Sequence, residues 1–267
     1  MSQTLYGLGD VEVARRGIVG IESAIVLIAF VIVAAALAFV VLNMGFFTSQ
    51  QSRLVMQRGL GEASSALELD GSMVAAVNIT AQNIIYAWAP LKLSSGQHKV
   101  DLTPTKTVIA YWSPDKGLTI TNAYLIAILT PITNTSMVPD IVNNILSLTV
   151  TGSKGTVVRN TITLGGVNYD VYIGLPEDVS MLNVGQLLDR YASDSVIIVL
   201  NWVVRVNDDL VIDPGEKVVL FIYYKDPSVR PDGYDLIKIE VKVPIGAPLT
   251  IERMIPPSLT LPVIDLG

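Results

Sequence analysis

Arg15-Arg16-Gly17-Ile18 is where residue types and spacing in this chain point most directly to a covalent event. Two cations precede a small residue, and a long apolar run opens after it. The chemistry implied is peptide-bond hydrolysis by another protein. An ordinary secretory signal places its small-residue cleavage site after the apolar core, so the core is discarded. Here the glycine comes first, and no Ala-x-Ala-like site follows Leu42. Cutting between Gly17 and Ile18 would leave the apolar segment as the new N-terminus. Glu22 would then be the fifth residue of the mature chain, with the Ile18 α-amino group available as its counter-charge, in the same chain or a neighbour. An acid in a first helical turn also suits the helix dipole. The plainer reading is an interfacial acid without a role.

Other chemistry is sparse. The one histidine, His98, lies in the polar stretch Ser94-Ser95-Gly96-Gln97-His98-Lys99 and reads as a surface residue. There is no cysteine, which removes thiol catalysis and Cys-based metal sites. No nucleophile elbow, phosphate loop or zinc-binding helix occurs. No catalytic residue is therefore assigned, and no enzyme activity is expected. Asn207, Asp208, Asp209, Asp213 and Glu216 form an acidic loop that offers oxygens to a hard cation such as calcium. Its spacing departs from the EF-hand pattern. The favoured alternative is a solvated hairpin with Pro214 and Gly215 at the central positions of a type II turn. No other cofactor is implied. Two sequons, Asn78-Ile79-Thr80 and Asn134-Thr135-Ser136, make Asn78 and Asn134 candidate glycosylation sites, Asn134 having the more exposed, Thr-rich setting.

The elements that carry these residues divide the chain into three. Residues 1–17 read as a leader. Residues 18–69 read as one long helix, apolar nearly all round in its first half and more polar from Ser49, with Gly45, Gly59 and Gly61 as weak points. Residues 18–42 as helix span about 37 Å, enough for the ~30 Å of a bilayer core. Arg15 and Arg16 would stay cytoplasmic, leaving the bulk of the chain outside. Small residues including Gly20, Ala24, Ala34 and Ala38 would let helix backbones approach closely.

From about Asp70 the pattern turns to β. Ile237, Ile239, Val241 and Val243 alternate with charges, as in a half-buried strand. Strands are also expected at 156–164, 169–173 and 217–224. The stretch 195–206 reads as a central strand buried on both faces, and 118–129 is similar. A short helix is expected at 178–192. The fold class is therefore α+β: a long hydrophobic N-terminal helix followed by an antiparallel, Ig-like β-sandwich over 70–267.

Composition fits an assembled surface protein. The 267 residues are 51% hydrophobic and only 16% charged, against ~25% charged in average soluble chains. Net charge is −6, and the leader's Asp10, Glu12, Arg15 and Arg16 cancel, so processing would leave it unchanged. That acidity argues against a nucleic-acid partner.

The stretch from Arg15 to Glu22 and the apolar run after it resemble the class III signal of type IV pilin-like proteins. Within that superfamily they most resemble archaeal flagellins (archaellins), whose start is a Lys/Arg pair, Gly, then x-x-Gly-Ile; Gly20 and Ile21 match. The ending Pro262-Val263-Ile264-Asp265-Leu266-Gly267 is similar to theirs, as is the turn Asp213-Pro214-Gly215-Glu216. The resemblance implies an extracellular helical filament for swimming motility, whose subunits bundle their N-terminal helices through Gly20, Ile21, Glu22, Ile25, Ile28, Ile32 and Phe39. It further implies a prepilin-type (class III) signal peptidase, the archaellum assembly machinery, and a precursor held in the cytoplasmic membrane. Such surface filaments are commonly glycosylated. An adhesive type IV-like pilin, or a single-pass membrane protein displaying a β domain, are the alternatives.

Overall fold

The computed structural model describes residues 12–63, 66–96, 99–192 and 195–267. Expectations placed on residues 1–11 and on His98 lie outside the described residues. Two units are described, a helical one ending at Leu60 and a β-rich one starting at Gly61.

Helix α1 runs Glu12–Ala63, 52 residues without a proline. It therefore starts inside the stretch expected to be leader. It also stops short of the expected end near Leu69. There Leu67 and Leu69 pair with Leu93 and Leu91, and Leu67 is buried. A strand that buries a leucine wins over a helix already weakened by Gly59 and Gly61.

The β-rich unit opens with β1 (Leu67–Leu69), β2 (Val74–Asn78), β3 (Asn83–Leu93), β4 (Val100–Asp101), β5 (Val108–Ser113), β6 (Leu118–Ile120) and β7 (Tyr124–Ile128). Next come α2 (Val138–Ser147), β8 (Thr149–Gly152), β9 (Val157–Leu164), β10 (Val167–Gly174), β11 (Val179–Asn183) and α3 (Val184–Tyr191). The last strands are β12 (Val196–Val204), β13 (Val211–Ile212), β14 (Lys217–Tyr224), β15 (Leu236–Lys242), β16 (Leu249–Met254) and β17 (Val263–Asp265).

The main sheet has nine strands in the order β17-β2-β3-β14-β12-β7-β10-β9, with β1 beside β3. A second sheet runs β16-β15-β5-β6. Alternation along β12 shows how the layers are built. Val196, Ile198, Leu200 and Trp202 face the second sheet's Ile109, Tyr111, Ile237 and Ile239. Ile197 and Val199 face α2 and α3, through Ile141, Ile145, Leu187 and Leu188. Burial on both faces is why this strand reads as continuously apolar.

The expected long helix followed by a strand-rich domain is present. The layering is richer than a two-sheet sandwich, because helices cover the second face of the main sheet. One pair, β12 with β7, is parallel. Parallel neighbours need a long crossover, and here it contains α2, the β8–β11 pair with the β9–β10 hairpin between its strands, and α3. Asn201, fully buried on β12, pins the point where that crossover leaves β7. Its Nδ2 donates to the carbonyls of Ile128 (3.0 Å) and Thr130 (2.8 Å), and its Oδ1 accepts from the Ile132 N–H at 3.0 Å. The stretch 118–129 is two strands rather than one. Asn122 accepts the N–H of Tyr124 (3.2 Å) and of Ile109 (3.4 Å), turning the chain from one sheet into the other. The helix expected at 178–192 begins only at Val184, where Asn183 caps Gly185 N–H at 2.8 Å.

Candidate assembly helix, processing site and outer loops

The first part of α1 is built from Ala, Ile, Leu, Val and Phe, and every described side chain from Gly20 to Leu60 is exposed. This stretch is long and apolar enough to cross a membrane, and none of it is buried within the chain. At 3.6 residues per turn, Ile21, Ile25, Ile28, Ile32 and Phe39 fall on one bulky face. Gly20, Ala24, Ala34 and Ala38 form a strip of small residues beside it. A Cβ on Gly20, Gly45 or Gly59 would meet nothing within 4 Å, so the helix surface is open at each. Glu22 is exposed on the flank of the bulky face. Within the apolar stretch the Thr48 hydroxyl donates back to the Met44 carbonyl at 2.8 Å, which satisfies it internally. All the expected assembly residues thus share one continuous element. Arg15, Arg16, Gly17 and Ile18 lie in the backbone of that same helix.

The acidic loop folds around its own backbone. Glu216, only 2% exposed, receives the N–H of Val206 at 2.6 Å, of Asn207 at 3.4 Å and of Asp213 at 3.0 Å. Asp213 takes the Asn207 amide at 2.9 Å and Lys99 at 3.0 Å. Asp209 receives the Val211 N–H at 2.9 Å, and Asp208 pairs with Arg205 at 2.9 Å. Glu216 N–H closes the turn on the Asp213 carbonyl at 3.0 Å, with Gly215 at φ 95°. That is the type II geometry, with proline and glycine at the positions they favour. Among the described residues no group of three or more His, Asp or Glu side chains is placed to hold a metal ion.

The two sequons differ in setting. Asn134 is exposed and caps a short 3-10 turn, accepting the Ser136 N–H at 3.1 Å and its hydroxyl at 2.7 Å. Asn78 is half-buried at the end of β2, accepting the N–H groups of Thr80 and Ala81, each at 3.1 Å. Sequence reasoning missed a charge network where the chain enters the main sheet. Lys217 meets Asp70 at 2.5 Å, and Lys92 bridges Asp70 (3.4 Å) and Glu68 (3.3 Å). The Lys217 ammonium, helped by Lys92, holds the Asp70 carboxyl below the usual carboxylate range. Strand registers bring these four residues together, and nothing local in the sequence announces that. No cofactor-like cluster emerges from these arrangements; what the exposed helix can do is associate.

Comparison with known proteins points the same way. The family model for archaeal-type flagellin matches residues 17–253. A relative named Probable flagellin 1, from Aeropyrum pernix, is 37% identical over 247 residues, covering 92% of this chain and 94% of its own length. Probable flagellin 2 of Archaeoglobus fulgidus is 27% identical over 261 residues, covering 92% of each. Among solved structures, the archaeal flagellum of Methanospirillum hungatei strain JF1 matches at a TM-score of 0.46 and 19% identity, over 92% of this chain and 98% of that one.

Proposed function

The chain belongs to the archaeal-type flagellin family, and from that premise we propose that it is the structural subunit of an archaeal flagellum filament serving swimming motility. The observation that carries the proposal is the exposed apolar surface of α1. Burying one Leu or Ile is worth about 1.5–3 kcal/mol, so a run of this length represents tens of kcal/mol while it stays wet. Two environments remove the penalty: a bilayer before assembly, and a bundle of identical helices after it. Leaving lipid cancels much of the hydrophobic gain, so the bundle must win by close packing. The small strip through Gly20, Ala24, Ala34 and Ala38 supports such packing, with the Ile21–Phe39 face filling the space beside it.

Maturation by a prepilin-type peptidase between Gly17 and Ile18 is part of this reading. The order of parts in Arg15-Arg16-Gly17-Ile18, with the apolar run after the glycine, supports it. The peptide bond sits within helical backbone, so the first turns must unwind before a protease can reach it. The new amine at Ile18 would then stand one helical turn from Glu22, where the two opposite charges are neighbours. An extracellular location and a membrane-held precursor follow from the same reading.

Two measurements on native material test the proposal together. Electron micrographs of purified surface appendages should show filaments of this subunit, and N-terminal sequencing should read Ile18 first. A product lacking the apolar helix, or one that remains monomeric in the membrane, would sink it.

A further inference from the structure

Three non-glycine residues of the described chain occupy the left-handed backbone region: Gln82 (φ 53°), Met181 (φ 51°) and Tyr234 (φ 72°). That conformation is unfavourable for L-residues and uncommon for large side chains. For Gln82 the strain is repaid inside the chain. Its Nε2 donates to the carbonyls of Ile79 (2.8 Å) and Leu259 (3.0 Å), and its Oε1 accepts the Leu259 N–H at 3.3 Å.

The other two side chains obtain nothing comparable. Tyr234 is the third residue of a turn closed by Asp235 N–H on the Asp232 carbonyl at 3.2 Å. Positive φ at that position favours Gly or Asn. The turn does contain a glycine, but one place earlier and for another reason. A Cβ on Gly233 would stand 2.9 Å from the Pro257 carbonyl oxygen. Tyr234 is 70% exposed. Its own N–H donates to the Ile255 carbonyl at 3.0 Å. Met181 sits where the register of β11 against β8 shifts, and its side chain is 78% exposed. Its N–H is held by the Thr151 hydroxyl at 3.1 Å, a bond any residue could make. At both positions Gly or Asn would fit the backbone better, and a polar side chain would suit the exposure better.

We propose that Tyr234 and Met181 are points at which the β-rich unit is buried against neighbouring copies of this chain. The proposal rests on the filament reading above. A polymer of identical subunits meets each subunit through repeated, non-closing contacts with more than one neighbour. Two apolar knobs on separate sheets, one by the four-stranded sheet and one on the β8–β11 pair, suit two such neighbours. Aromatic and Met side chains are the kinds enriched where protein surfaces come together, and a tyrosine keeps its hydroxyl wet while its ring is covered. Strain that nothing among the described residues offsets is then kept because the assembly uses it.

Opposite signs in subunit and filament are the test. Full-length Tyr234→Gly, Tyr234→Asn and Met181→Gly chains are assembled in the native host. Each is measured twice: as detergent-dispersed subunit by circular dichroism, and as purified filament by sedimentation on heating. The expected result is a subunit melting midpoint unchanged or raised by a few degrees, as relief of strain requires, with a lowered filament dissociation midpoint. Filaments that dissociate at or above the wild-type midpoint overturn the proposal, since the side chains would then face solvent or a partner of another kind. A subunit midpoint that falls in parallel also overturns it, because the side chains would then serve their own fold. Failure of the wild-type chain to form filaments at all would instead overturn the filament reading.

Discussion

At the scale of single residues, Glu216 is the most informative position. A buried carboxylate that gathers three backbone N–H groups organises the whole loop between β12 and β14. Glu216→Ala orphans those donors and should lower stability by roughly 2–4 kcal/mol, or about 5–15 °C in the melting midpoint for a unit of this size. A change below a few degrees in a thermal scan would show that the loop holds without it. The turn at Asp213-Pro214-Gly215-Glu216 was legible because Pro and Gly carry their turn positions locally. The role of Glu216 was not, since two of its three partners lie ten and nine positions upstream. Sequence shows an acid near other acids, open to a cation but fitting a solvated hairpin better; the fold turns the Glu216 oxygens toward amides. The same reasoning separates Gln82 from Tyr234, which share a backbone conformation no sequence pattern reveals.

At the scale of elements, legibility followed how local the deciding forces are. The apolar stretch of α1 and the doubly buried β12 are written in runs of one residue class, and both were readable. Helix α2 was missed although Val138, Ile141, Val142, Ile145 and Leu146 repeat at helical spacing and are buried. Its shortness, and Asn143 and Asn144 within it, hid the period among strand-like neighbours. The end of α1 and the break between β6 and β7 were misread because tertiary pairing, not propensity, decides them. Strand β17 is a case where pairing alone gives an element its worth. It adds three register pairs to β2, and Ile264 and Leu266 pack on the main core. Removing residues 263–267 should cost roughly 2–5 kcal/mol in lost hydrogen bonds and packing and leave the β2 edge open. Unpaired edges recruit other chains, so light scattering of the detergent-dispersed subunit should rise along with a fall in melting temperature. If both stay at wild-type values, the strand is ornamental.

At the scale of the whole molecule, the charge pattern sets a working range of pH. Lys217 depresses Asp70, the Ser228 N–H depresses Asp226, the Gly267 N–H depresses Asp265, and the Tyr191 hydroxyl depresses Glu177. A lowered carboxyl stabilises the fold above its ordinary range near pH 4 and is lost as pH falls through the lower folded value. Burial works in the other direction at the alkaline end. It pushes the Tyr111 hydroxyl up to about 12, against the Tyr224 hydroxyl 3.0 Å away, and raises Tyr124 and Tyr224 as well. A raised tyrosine keeps its full contribution below pH ~10 and loses it as pH climbs toward the folded value. Circular dichroism of the dispersed subunit should therefore show a plateau from about pH 5 to 9, with unfolding above about pH 10 accompanied by the tyrosinate absorbance of Tyr111, Tyr124 and Tyr224. Tyrosinate appearing in full at pH 10 on an intact fold would contradict it. One further consequence comes from the pairing of β17 with β2, where the Leu266 N–H meets the Met73 carbonyl at 2.7 Å. The last strand of the β-rich unit thus lies against β2, among its first strands, so a short linker could rejoin the two and the sequence be opened elsewhere. The exposed hairpin tip at Gly165 and Gly166 is then the natural site for new ends, or for grafting a foreign epitope.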